Sequence, residues 1–260
     1  MDSMLVFDRL AVRRHRDRAA RTVHQVADVL QDAATRLLDR LDDTNRRFGD
    51  ALDIGGRGVV APLLRARGLR VISCDPSAAM AALNGGSTVA ADEEWLPFAP
   101  ASFDLIVASL SLHWVNDLPG ALLQLRQVLR PEGLLLASLP VLGTLSELRA
   151  ALTEAEAEVA GGASPRVSPF PELRDCAHLL QRAGFTLPVA DVEDIRLLYA
   201  NRFALLTDLR AAGETNAIRQ RLHATPSRNL FLAALARLPL DGERVVVTLR
   251  MAVMTGWAPG

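Results

Sequence analysis

Carboxylates at three points in the first hundred residues have the spacing to hold a nucleoside. Asp53 opens the turn Gly55-Gly56-Arg57-Gly58, Asp75 follows 22 residues after it, and Asp92-Glu93 come next. Each lies at or just after a short apolar run, so each reads as the polar tip of a strand. A carboxylate at the second tip can accept hydrogen bonds from both ribose hydroxyls, and an acceptor after the third can take an adenine amino group. The glycines permit positive φ and let the backbone approach a ligand closely. Farther on, Ser109-Leu110-Ser111-Leu112-His113-Trp114 leads out of another apolar run. His113 is the candidate catalytic group, because imidazole titrates near neutral pH. A structural or substrate-positioning histidine beside Trp114 fits the same pattern.

Asp75 alone suits a nicotinamide dinucleotide as well as S-adenosylmethionine. Asp92 favours S-adenosylmethionine, since it adds an acceptor for the adenine. Trp95 reads either as a cover for that ring or as a buried aromatic, and Leu96, Pro97 and Phe98 read as packing.

These tips need a parallel sheet behind them. Strands are expected at Ala51 to Ile54, Leu69 to Ser73, Thr88 to Ala91, Leu105 to Ser109 and Leu134 to Leu139. Helices are expected between them, with Ser77 capping the one from Ala78. The fourth strand is apolar throughout, as when helices cover both faces. Arg130-Pro131-Glu132-Gly133 reads as a turn. Two later β runs, Val189 to Tyr199 and Arg244 to Thr255, form a hairpin-like pair. Tyr199 reads as core. The pattern predicts an α/β, doubly wound, seven-stranded sheet, one strand reversed at its edge, with N-terminal helices and a cap. Residues 1–48 form a helical extension or lid. Residues 49–140 form the cofactor-binding core, and 141–260 the cap and the strands that complete the sheet. Arg13, Arg14, Arg16, Arg18 and Arg21 read as a solvated helix face, with a lid as the alternative.

Composition excludes several classes. A net charge of −1 offers no general attraction to nucleic acid. All 29 basic residues are arginine, which excludes lysine Schiff-base chemistry and the lysine of a phosphate-binding loop. Cys74 and Cys176 suit a reducing compartment, and no metal site is expected. No apolar run reaches the roughly 20 residues of a membrane span, so no membrane insertion is expected. The arginine-rich start resembles a mitochondrial presequence but carries Asp2, Asp8 and Asp17, and reads as part of the mature protein. A cytoplasmic location is expected for a bacterial chain, and the mitochondrial matrix for a eukaryotic one.

Several stretches resemble a known family: Phe7-Asp8-Arg9, ADEEWLPF from Ala91, FDLIVASLSLHWVNDLP from Phe103, LSELR from Leu145, GGASPRVSPF from Gly161, HLLQRAGF from His178, and Thr255-Gly256-Trp257. The chain is similar over nearly its whole length to the class I S-adenosylmethionine-dependent methyltransferases. Within them it resembles the complex I assembly factors that act as protein-arginine hydroxylases. A more distant resemblance is to malonyl-acyl-carrier-protein methyltransferases. The resemblance implies a Rossmann-like fold and S-adenosylmethionine as cofactor, bound by Asp53, Gly55, Gly56, Gly58, Asp75, Asp92, Glu93 and Ser109. It implies a protein substrate, a complex I subunit, near Arg9 and Trp114. The Gly161 to Phe170 segment, too rich in glycine and proline for regular structure, reads either as a connecting loop or as a cover on the substrate side. Methyl transfer, arginine hydroxylation and a non-catalytic assembly role all remain open. The glycine turn is one residue shorter than the family's acidic-x-Gly-x-Gly-x-Gly pattern, and Arg57 stands inside it.

Overall fold

The computed structural model describes residues 5–162, 164–222 and 227–260. Asp2, weighed above against a presequence, and Ala163, within the expected cover, lie outside them. The strands are β1 (Asp50–Ile54), β2 (Arg70–Asp75), β3 (Ser87–Ala90), β4 (Phe103–Ser109), β5 (Leu129–Pro140), β6 (Thr186–Tyr199), β7 (Leu240–Asp241) and β8 (Arg244–Trp257). They form one sheet in the order β3-β2-β1-β4-β5-β8-β6, with the short β7 paired to β8. The first five strands pair in parallel, and β8 runs antiparallel to both β5 and β6. The reversed strand is therefore one place in from the edge expected for it, because β8 inserts between β5 and its own hairpin partner β6.

Alternation within each strand divides the core into two layers. Ala51, Leu105, Val107, Leu134, Leu136, Met251 and Val253 face one side. There they meet α2 (Ala27–Leu38) and α3 (Val60–Ala66). Leu52, Ile106, Ala108, Leu135, Ala137, Ala252 and Met254 face the other side. They pack on α5 (Leu118–Val128) and α7 (Leu173–Arg182). The central strands are thus covered on both faces, which explains their unbroken apolar sequence. Ser77 caps α4 (Ala78–Ala82) by accepting from the Met80 N–H, as its sequence signal indicated.

The Arg130–Gly133 stretch departs from the expected turn. It belongs to the start of β5, where Glu132 takes φ +58° and the pairing with β4 shifts register. An irregular strand entry absorbs the turn-forming residues. After β5, α6 (Ser146–Ala160) packs with α8 (Arg202–Ala211) and α9 (Arg228–Ala236) around Leu148, Leu152, Leu205, Leu230 and Leu235. This cluster sits over Val245 and Val247 at the start of β8. Among the described residues no helix is long and apolar enough to cross a membrane.

The arginine-rich N-terminal region forms α1 (Arg9–Ala19), then a 3-10 turn (Val23–Val26) that runs into α2. Asp8 caps α1 by accepting from Ala11 N–H. The segment before it is pinned: Phe7 bridges to Ile218, and Asn116 bonds both the N–H and the carbonyl of Phe7. Phe7 and Trp114 also meet edge to face at 5.2 Å.

Candidate functional site

In a sheet of this type a ligand site forms beyond the strand carboxyl ends where the strand order reverses, here between β1 and β4. Asp53 is fully buried there, accepting from Ser73 Oγ at 3.2 Å, while its Oδ1 has no partner. Burial pushes its carboxyl up to about 7, and the Asp75 charge adds to that against the Ser73 hydrogen bond. Gly55 has φ +65°, and a Cβ there would lie 2.5 Å from Ser111 Cβ. Gly56 is needed for a different reason, since its Cβ would fall 2.2 Å from Asp53 Oδ1. Gly58 donates its N–H to Asn84 Oδ1 at 2.8 Å. Ser109 ends β4, buried and in register with Ser138 of β5.

The elevated Asp53 value has a thermodynamic consequence. The folded state keeps a proton up to about 7 that the unfolded chain releases near 3.8, so stability falls as pH rises between those values. Asp53→Asn is expected to remove that loss, which is bounded by about 4 kcal/mol. Thermal melts should show the variant gaining on the wild type at about pH 8 but not at about pH 4. Equal gains at both values would contradict the assignment.

Of the other acids, Asp75 and Glu93 are buried and Asp92 is partly exposed. Asp75 is fully buried and takes a bond from Arg16 Nη1 at 2.7 Å, while its second oxygen accepts from Ser77 N–H. Arg16 is itself 1% exposed, which corrects its reading as one of five solvated arginines. The remaining four, Arg13, Arg14, Arg18 and Arg21, do face solvent. Burial works against the Arg16 charge, yet Asp75, Glu93 and Glu214 outweigh it and raise its pKa. Arg9, about two turns earlier on α1, makes the parallel contact: Nε reaches Asp92 at 3.2 Å, Nη2 bonds both Asp92 and Glu93, and Nη1 donates to the Trp114 carbonyl at 3.0 Å. Helix α1 thus lays two guanidinium groups on three of the four carboxylates singled out for a nucleoside. Trp95 is 79% exposed, which overturns its reading as a buried aromatic.

Arg57, the residue that interrupts the glycine turn, points away from these acids. It takes φ +51°, donates to the Leu110 carbonyl and pairs with Glu214. Glu214 also receives Trp114 Nε1–H at 2.7 Å and contacts His113 Nε2 at 2.8 Å. Burial would raise the Glu214 carboxyl, but His113, Arg57 and Arg16 outweigh it and hold it well below the usual carboxylate range. Sequence reasoning missed Glu214 entirely. It lies in the connection after α8, about a hundred residues from His113, and no local motif marks it.

Beside this hub opens a cavity of about 1010 Å³ of empty space, partly open to solvent. Its walls are mainly apolar, including Leu30, Leu110, Leu148, Val167, Phe170 and Leu209. His113, Trp114, Arg57 and Glu214 line the same space, with Tyr199 and Asp208. Tyr199 is thus half-buried on a cavity wall as well as in the sheet. The Ser109–Trp114 mouth, the Arg166–Phe170 part of the expected cover and the 214–218 connection therefore meet around one volume. Among the described residues no group of three or more histidine, cysteine or acidic side chains is placed to hold a metal ion.

A family model described as a methyltransferase domain matches residues 22–188. The chain belongs to this methyltransferase family. It is 39% identical to the human mitochondrial arginine-hydroxylase NDUFAF5 over 265 residues, covering 97% of this chain and 76% of that protein. It is 36% identical to malonyl-acyl-carrier-protein O-methyltransferase of Xylella fastidiosa (strain M23), covering 89% and 80% of the two chains. Among solved structures, the YcgJ protein of Bacillus subtilis superposes with a TM-score of 0.59 at 13% identity, over 86% of this chain and 98% of that one. That likeness places the fold, and the two sequence relatives place the family.

Proposed function

We propose that this methyltransferase-family chain binds S-adenosylmethionine at its acid-tipped strand ends and methylates a protein subunit during respiratory complex I assembly. The observation that carries the cofactor assignment is the gathering of acids and unpartnered buried atoms at the carboxyl ends of these strands. Asp53 Oδ1, Glu93 Oε1, Ser111 Oγ and Arg16 Nη2 are all buried without partners. Ser111 and Arg16 both lie against Gly55. Such atoms cost about 1–3 kcal/mol each until a ligand or water satisfies them.

In this reading Asp75 holds the ribose hydroxyls, Asp92 and Glu93 the adenine, and the Gly55–Gly58 turn with Ser109 the methionine part. The cofactor supplies a methyl group on a cationic sulfur. The chain's own work is alignment, since a methyl acceptor needs chiefly to be held in line. Arg9 and Arg16 must yield or share their carboxylates when the nucleoside enters, which makes α1 a lid over the 49–140 core. Trp114, on the cavity wall, is the substrate contact, whereas Arg9 reaches that side only through the Trp114 carbonyl. Residues 141–260 supply the cap and the strands that close the sheet. This work belongs in the cytoplasm of a bacterium, or in the matrix of a mitochondrion.

A second reading, arginine hydroxylation, is favoured by the name of the human relative. Mass spectrometry of complex I subunits from cells with and without this protein separates the two. Methylation adds the mass of one methylene group to a subunit residue, and that result is expected. The mass of one oxygen would establish hydroxylation instead. Unmodified subunits with failed assembly would reject both and leave a binding factor.

A further inference from the structure

Glu214 contacts three donors at once, and its depressed pKa keeps it a carboxylate that can only accept. His113 Nε2, at 2.8 Å, must therefore carry the proton of that contact. The opposite ring nitrogen, Nδ1, has no partner although the residue is more than nine-tenths buried. The ring borders the apolar cavity described above. A buried polar atom left unpaired is costly, and the cost is recovered when a partner arrives.

We propose that Glu214 is a positioning residue that fixes His113 with its proton on Nε2, leaving Nδ1 to accept a hydrogen bond from a proton-bearing group on an apolar stem in the cavity. The proposal deepens the acceptor side of the methyltransferase reading and rests on that reading for its purpose. A neutral head fits better than a cation or an anion. Arg57 is already matched by Glu214, and Arg166 by Glu156 at 2.5 Å. The remaining acid, Asp208, is already engaged by the Tyr199 hydroxyl. The apolar stem follows from the leucine, valine and phenylalanine walls.

Glu214 also explains how the N-terminal lid reaches this cavity. Its connection continues into Ala217 and Ile218, which pair with Phe7 and Asp8, and Arg221 bonds Asp8 at 2.9 Å. A shift of α1 therefore pulls on the segment that carries Glu214, and through it on His113 and Trp114.

The test uses the full chain, labelled with ¹⁵N at histidine, together with two probes, 4-hexylphenol and its methyl ether 4-hexylanisole. Without any probe, His113 should show a protonated Nε2 and an unprotonated Nδ1. Adding the phenol should move the Nδ1 resonance, and calorimetry should show it binding about tenfold tighter than the ether. Glu214→Gln should mix the two tautomers and erase the preference for the phenol. The wild-type spectrum decides the tautomer even if that variant fails to fold. A doubly protonated ring, a proton on Nδ1, equal binding of the two probes or no binding of either would overturn the proposal. None of these measurements involves S-adenosylmethionine, so a failure of cofactor binding registers separately.

Discussion

Arg16→Met is expected to lower folding stability by about 3–5 kcal/mol, roughly 10 °C in melting temperature for a chain of this size. The reason is that Arg16 and Asp75 are both essentially sealed from solvent, with side-chain exposures of 2% and 0%. Breaking such a pair by removing one partner strands the other charge in the interior. Methionine keeps most of the stem volume, so lost packing contributes little. Replacing both groups, as in Arg16→Met with Asp75→Leu, should recover most of the loss, because a matched apolar pair carries no stranded charge. If a ribose takes the place of Arg16 on Asp75, S-adenosylmethionine should raise the melting temperature of Arg16→Met more than that of the wild type. A single variant as stable as the wild type would show that Arg16 does not hold Asp75 in solution.

The sheet was legible because its strands obey simple periodicity. Ala51 to Ile54 and Leu105 to Ser109 are too apolar for a solvated face, and their polar tips fall where parallel strands end. The place of β8 was less legible, since pairing order within a sheet depends on contacts distant in sequence. Arg130–Gly133 misled for a related reason: the residues that make a turn also make an irregular strand entry. Arg16 was hidden by its neighbours, because the other four arginines of the set are solvated. A signal was present, however. Arg16 lies four residues after Val12 and three before Ala19, on the stripe that α1 buries. Glu214 gave no comparable signal, since its role arises only where the fold brings Arg57, His113 and Trp114 to one loop position.

Asp75→Asn is expected to weaken S-adenosylmethionine binding by about 10–100-fold. A carboxylate can accept from both ribose hydroxyls, whereas an amide offers one accepting oxygen and turns a donor toward the other hydroxyl. The substitution also leaves Arg16 without its anion, so the variant must be shown folded by its far- and near-ultraviolet circular dichroism. Asp92→Ala is the companion variant, because Asp92 is partly exposed and its removal leaves Glu93 to hold Arg9. It should weaken the nucleoside by about tenfold or more, the value of one hydrogen bond to a charged acceptor.

The most direct measurement is calorimetric titration of the wild-type chain with S-adenosylmethionine, with NAD in a parallel cell. Saturable heat with S-adenosylmethionine alone, reduced in Asp75→Asn and in Asp92→Ala, is the expected result. No heat with S-adenosylmethionine, or saturable heat with NAD in its place, would contradict the assignment of these carboxylates to the methyl-donor cofactor.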